Sequence, residues 1–217
     1  MRRINNQRGF TLISLLVGTV LSLLTIVAML ALYKNLVQVA VIATQDANHD
    51  GGLASALLTA QLELQSAGFG LDGSANIYLP STATILWRYK DLDTLKTSCS
   101  GLLLRPHPIK TELNYRTLTL LHKPDCNAAL STLSVAESDT ALKASWGTGS
   151  DAITNLAVLA PLTVLTFEKT DTTACSNYSV GNTFKQPKIT IEATNSSSAD
   201  ALKTTYTVCL SNIRSTP

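Results

Sequence analysis

Apolar positions run from Phe10 to Leu32 with no charged residue among them, and the polar ones are only Thr11, Ser14, Thr19, Ser22 and Thr25, with Gly18 between. A helix that spans a bilayer needs roughly 20 such residues, so this stretch predicts a membrane-crossing helix. Beyond Tyr33 the pattern changes but stays helical. Leu36, Val37, Ala40 and Val41 carry an apolar stripe onward. Leu53, Ala56, Leu57, Ala60 and Leu64 then recur at the spacing of one amphipathic helix face. Between them, Asp50-Gly51-Gly52 predicts a kink or short break, because each glycine costs about 1 kcal/mol in a helix interior. The helix is expected to end at Ser66-Ala67-Gly68.

The rest of the chain reads as mostly β. Candidate strands are Ile85–Tyr89, Leu102–Arg105, Leu118–Leu121, Leu162–Glu168, Ile189–Glu192 and Tyr206–Leu210. Each is short, rich in branched or aromatic residues and bounded by Gly, Pro, Asn, Asp or Ser. Residues 170–187 and 194–203 are rich in Thr, Ser and Asn and read as loops. Trp87 lies in a strand pattern and is expected in the core. Ser145-Trp146-Gly147-Thr148-Gly149-Ser150-Asp151 reads as a loop. No internal repeat is present.

Charge adds an orientation. The 217 residues carry a formal net charge of +2, and Arg2, Arg3 and Arg8 lie ahead of the apolar run. Without them the chain is close to neutral, which gives no case for nucleic-acid binding. A basic flank beside a membrane segment stays in the cytoplasm, which sends the head to the far side. The four cysteines, Cys99, Cys126, Cys175 and Cys209, all fall in that head. In an exported domain an even number reads as two disulfides. Three pairings are open; the nearest-neighbour one, Cys99–Cys126 with Cys175–Cys209, is favoured. A zinc site competes, but there is no C-x-x-C pair.

Three explanations compete for residues 1–33. A cleaved secretory signal has an apolar region of about 7–15 residues and then small residues; this run is longer and ends in Leu32-Tyr33-Lys34. A plain anchor fits the length and the charge. The third is narrower: Arg8-Gly9-Phe10-Thr11-Leu12-Ile13 places a glycine between a basic leader and an uninterrupted apolar helix.

That junction, "QRGFTLISLLVG", resembles the N-terminus of type IV prepilins and type II secretion pseudopilins. The resemblance implies cleavage after Gly9 by a prepilin peptidase and N-methylation of the new terminus, Phe10. The family usually has a glutamate after Gly-Phe-Thr-Leu-Ile; here it is Ser14. In the family that carboxylate is thought to meet the free terminal amine of a neighbouring subunit, a pairing that makes a charge inside an apolar helix tolerable. Serine carries no charge, and no Asp or Glu occurs between Phe10 and Asp46. Either this subunit sits where one neighbour is missing, such as a filament end, or it is a minor subunit added rarely enough to tolerate the loss.

"AQLELQSAGFGLDG" and the closing "TTYTVCLSN" are similar, more loosely, to PilW-like minor pilins. The middle of the head is unmatched. The implied fold is α+β and pilin-like, a long N-terminal α-helix packed against an antiparallel β-sheet head. The implied organisation is a leader over 1–9, a transmembrane or filament-core helix over 10–33, its amphipathic continuation over 34–67 and a β-rich head over 68–217.

Several local patterns are set aside on chemistry. Gly68-Phe69-Gly70-Leu71-Asp72-Gly73 matches G-x-G-x-x-G, but a dinucleotide site needs a strand before it and a helix after it. Asp46-Ala47-Asn48-His49-Asp50-Gly51 begins like a calcium loop, yet its twelfth position is Leu57 rather than a bidentate glutamate. His49, His107 and His122 show no metal spacing. No nucleophile with its base is marked, so no enzyme, metal or cofactor is expected. The resemblance implies a structural role as a minor pilin in initiating type IV pilus assembly or in its tip, supporting adhesion, twitching motility or DNA uptake. Its partners would be other minor pilins, the major pilin, the prepilin peptidase and the inner-membrane assembly platform. It would sit in the inner membrane before assembly and on the cell surface after. A type II secretion pseudopilin and a membrane-anchored binding protein are the alternatives.

Overall fold

The computed structural model describes residues 12–107, 109, 114–161, 163–171, 186–194 and 203–213. The first element is a single 54-residue helix, α1, Leu12–Gln65. It runs unbroken through Gly51 and Gly52, so the expected break is absent. Nothing lies within 4 Å of where a Cβ would stand at either glycine, so no close approach requires them. Burial of Leu53, Ala56 and Leu57 just beyond offsets their helix-weakening cost. The chain clusters into two units, Met1–Asn48 and His49–Pro217, so the end of α1 from His49 onward belongs with the head.

The helix stops where glycine permits it. Gly68 has φ +76° and donates its N–H to Arg88 O at 2.8 Å. A Cβ there would stand 2.5 Å from Ile213 Cγ1, so both conformation and space call for glycine. Gly70 and Gly73 also have positive φ, and a short 3-10 turn over Ser74–Asn76 follows. The G-x-G-x-x-G match is therefore a helix exit.

Among the described residues eight strands follow, with a second helix between the fourth and fifth. They are β1 Ile77–Ser81, β2 Thr84–Lys90, β3 Thr97–Pro106, β4 Arg116–Lys123, β5 Ile153–Leu159, β6 Val164–Thr170, β7 Lys188–Thr194 and β8 Lys203–Cys209. The helix is α2, Asp139–Trp146. The expected antiparallel head is two sheets, one of five strands in the order β1-β2-β3-β4-β5 and one of three in the order β6-β7-β8. They meet where Phe167 N–H donates to Thr82 O at 2.7 Å.

The alternation of side chains along β3 explains the layering. Leu102 and Leu104 face a core shared by α1 and both sheets, which contains Leu57, Leu64, Trp87, Phe167 and Ile191. Leu103 and Cys99 point the other way, into a second core with Leu86, Leu121, Leu142 and Trp146. The five-stranded sheet is thus covered on both faces. Gly101 faces the second core, where an added Cβ would stand 2.4 Å from Leu86 Cδ2 and 3.5 Å from Trp146 Cη2.

Three elements were not expected. β1 and β5 are the edges of the larger sheet. The stretch read as a loop at Ser145-Trp146 is instead the end of α2. Ser138 Oγ caps that helix by accepting from Ala141 N–H at 3.3 Å, Leu142 and Trp146 bury one face, and Gly147 at φ 112° ends it. Trp146 is buried, and its indole N–H donates to Ser134 O at 2.8 Å. Of the loop regions 170–187 and 194–203, residues 172–185 and 195–202 lie outside the described residues, as does Leu162 of the strand expected at Leu162–Glu168.

Candidate functional site: the exposed apolar helix

The feature that sets this chain apart from a simple globular domain is the first half of α1. Leu12, Ile13, Leu15, Leu16, Val17, Val20 and Leu21 are all exposed, and the pattern continues without a polar face through Leu32 and Tyr33. A helix that is apolar all round belongs inside a core or a membrane. None of the residues in its most apolar window is buried, and the helix is long and apolar enough to cross a membrane. It is a candidate membrane anchor.

Its few polar side chains are adapted to that setting. Thr19 Oγ1 donates to Leu16 O at 2.9 Å and Thr25 Oγ1 to Ser22 O at 2.8 Å. Hydroxyls satisfied by their own helix can lie in hydrocarbon at little penalty. Ser14 is on α1 and exposed. Gly9 and Phe10, the expected cleavage and methylation sites, lie outside the described residues.

Past Asn48 the same helix becomes the spine of the head. His49 Nε2 accepts the backbone N–H of Ala160 at 3.1 Å, which ties α1 to the β5–β6 connection. Asp46 to Gly51 are helical throughout, so they do not form the loop that calcium coordination needs. Among the described residues no group of three His, Cys, Asp or Glu could hold a metal ion.

Among the described cysteines the favoured Cys99–Cys126 pairing is present. Cys99 and Cys126 form a disulfide across 27 residues, fastening the segment after β4 to β3. Cys209 is also disulfide-bonded. Cys175 lies outside the described residues.

The structure brings together two polar clusters that sequence spacing does not reveal. In the first, Ser100 on β3 stands opposite His122 on β4. His122 Nδ1 lies 3.3 Å from Ser100 Oγ and 3.2 Å from Tyr89 Oη. Ser100 is buried, and the phenol of Tyr89 is pushed above its ordinary pKa, chiefly by burial. These groups compete for one imidazole nitrogen within the sheet, an arrangement that orients His122. In the second, Arg105 is buried on β3 and pairs with Asp139 at the start of α2. It also donates to Thr119 Oγ1 at 3.1 Å and Asn155 Oδ1 at 3.3 Å. The hydrogen bond from Arg105, and then its charge, holds the Asp139 carboxyl below the usual range. This fastens the start of α2 over the sheet. The cross-strand register that assembles both clusters is the information a linear reading lacks. Trp87, expected in the core, is there, with its indole N–H donating to Ser66 Oγ at 3.1 Å.

Comparison with protein-family models, with curated proteins and with solved structures finds no match to this chain.

Proposed function

We propose that this chain is a minor pilin of a type IV pilus, similar to the PilW-like kind, acting in initiation of assembly or in the tip complex. The single observation that carries the reading is one unbroken helix with two environments. Its first half exposes apolar side chains on every side, and its last turns are built into the core of a disulfide-bonded β head. The leader junction at Gly9-Phe10 adds what a plain anchor does not need.

In this reading the helix is stored in the inner membrane with the head in the periplasm. The peptidase cuts after Gly9, Phe10 is methylated, and the assembly platform lifts the subunit into a filament. There the apolar surface of residues 10–33 exchanges lipid for the helices of neighbouring pilins. Burying one Leu, Val or Ile is worth about 1.5–3 kcal/mol, so the helix always requires either lipid or partner helices around it. Ser14 supplies no carboxylate to pair with a neighbour's terminal amine, which favours a rare or terminal position over the repeating shaft. The role is structural.

A deletion strain scored for surface pili and for secreted enzymes tests the function. Loss of pili with normal secretion is expected. Normal pili with impaired secretion would replace the reading with a secretion pseudopilin, and no effect on either would point to an anchored protein outside any filament. Ser14→Glu tests the position: altered incorporation into pili is expected, and unchanged incorporation would remove the special role of serine.

A further inference from the structure

The two sheets of the head do not close against each other completely. Between the β1–β2 turn, the start of β4 and the start of β6 is a cleft of about 230 Å³. Its polar wall is Arg116, Thr82, Thr163 and Thr166, and its apolar floor includes Leu104 and Leu165.

Two features of that wall point to a ligand. The first is Thr163, which is 2 % exposed and whose Oγ1 is buried with no hydrogen-bond partner among the described residues. Its backbone is fixed by a turn, its N–H donating to Ala160 O at 2.9 Å. Buried hydroxyls nearly always have partners, and one left unpaired destabilises the fold. The second is Arg116, exposed at the start of β4 in the same wall, with no acidic residue among the described residues that line the cleft. A guanidinium fork beside hydroxyl donors is the chemistry that recognises an oxyanion. One cation with no second one in the wall matches a single negative charge, and the apolar floor accommodates a short aliphatic group attached to it.

We infer that this cleft binds a carboxylate, with Arg116 pairing to its two oxygens and Thr163 donating to one of them. The inference is independent of the filament reading. The carboxylate has two possible sources, a free small acid or the terminal carboxylate of a peptide chain.

The test uses the full chain in zwitterionic detergent with methyl-labelled threonine, followed by NMR. Acetate, N-acetyl-alanyl-alanine and the amide of that peptide are titrated separately. Saturable shifts at Thr82, Thr163 and Thr166 are expected with the two acids and not with the amide. Tighter binding of the peptide acid assigns the site to a chain terminus, and equal affinity assigns it to a free acid; both support a carboxylate site. Arg116→Gln should weaken binding about tenfold or more, since a hydrogen-bonded charge is removed. Thr163→Val keeps the shape, so it should weaken binding while leaving the free protein as stable or more so. Equal response to acid and amide would overturn the inference. So would no shift at these threonines up to about 50 mM ligand, a range that detects even millimolar affinity; the cleft would then hold water only. Unchanged affinity in Arg116→Gln, or a Thr163→Val protein that is less stable yet binds normally, would overturn it equally.

Discussion

Replacing Leu57 by alanine tests whether α1 is truly the spine of the head. Leu57 is 1 % exposed and belongs to the core between helix and sheets, while its neighbour Leu58 is 58 % exposed. The two substitutions make the same chemical change one position apart on the helix. Helix propensity therefore changes equally in both, and the difference between them isolates packing. At Leu57 the loss combines the transfer energy of the removed atoms with the cavity left behind, about 2–5 kcal/mol for Leu→Ala in a core. At Leu58 it should stay within about 0.5 kcal/mol. In a head of this size each kcal/mol moves the midpoint by about 2–4 °C, so Leu57→Ala should melt roughly 10 °C lower and Leu58→Ala almost unchanged. The assay is thermal unfolding of the full chain in detergent, followed by near-UV circular dichroism of the buried Trp87 and Trp146. Equal shifts for the two variants, or less than about 1 kcal/mol for Leu57→Ala, would refute the placement of this helix face in the core.

Three other perturbations probe the far side of the larger sheet. Gly101→Ala places a methyl 2.4 Å from Leu86 Cδ2 and 3.1 Å from the Ile85 carbonyl; a loss of about 1–3 kcal/mol in urea unfolding is expected, and an unchanged midpoint would contradict the close packing there. Replacing both Cys99 and Cys126 by alanine should cost about 2–4 kcal/mol and release Trp146 before Trp87, which single-tryptophan variants would resolve by fluorescence. The Asp139 carboxyl is held below its ordinary pKa by Arg105, so its contribution is present at neutral pH and is lost as pH falls through its depressed folded value. Asp139→Asn should therefore be less stable than the parent at pH 7, with the gap closing as pH falls through the depressed folded pKa of Asp139, and a gap that is constant with pH would count against the pairing.

The parts of the fold legible in the sequence are those in which one periodicity dominates. Leu53, Ala56, Leu57, Ala60 and Leu64 stand out at helical spacing and are the residues α1 buries. β2, β3, β4, β6, β7 and β8 show as short runs of branched or aromatic residues, although with ends displaced by a few residues. β1 carries Pro80, which a strand tolerates only at an edge, and β5 mixes Thr154 and Asn155 into its apolar run, as a half-exposed edge does. α2 is a single short helix whose one apolar face is Leu142 and Trp146. Its signal was Ser138 with Asp139 at the start and Gly147 at the end, obscured by the turn-forming residues that follow. The unbroken run through Gly51-Gly52 was hidden because local propensity speaks against it and only tertiary burial reverses the balance. The division into two sheets, the Arg105–Asp139 pair and the cleft beside Arg116 depend on which strands become neighbours, which no local pattern records.

The central claim is that α1 is a processed assembly element rather than a permanent anchor. Mass spectrometry of the protein's N-terminus, on material taken from membranes of cells with an active prepilin peptidase, tests it directly. The account predicts a chain that begins at Phe10 and carries one N-methyl group. An intact chain beginning at Met1 in those membranes would contradict it.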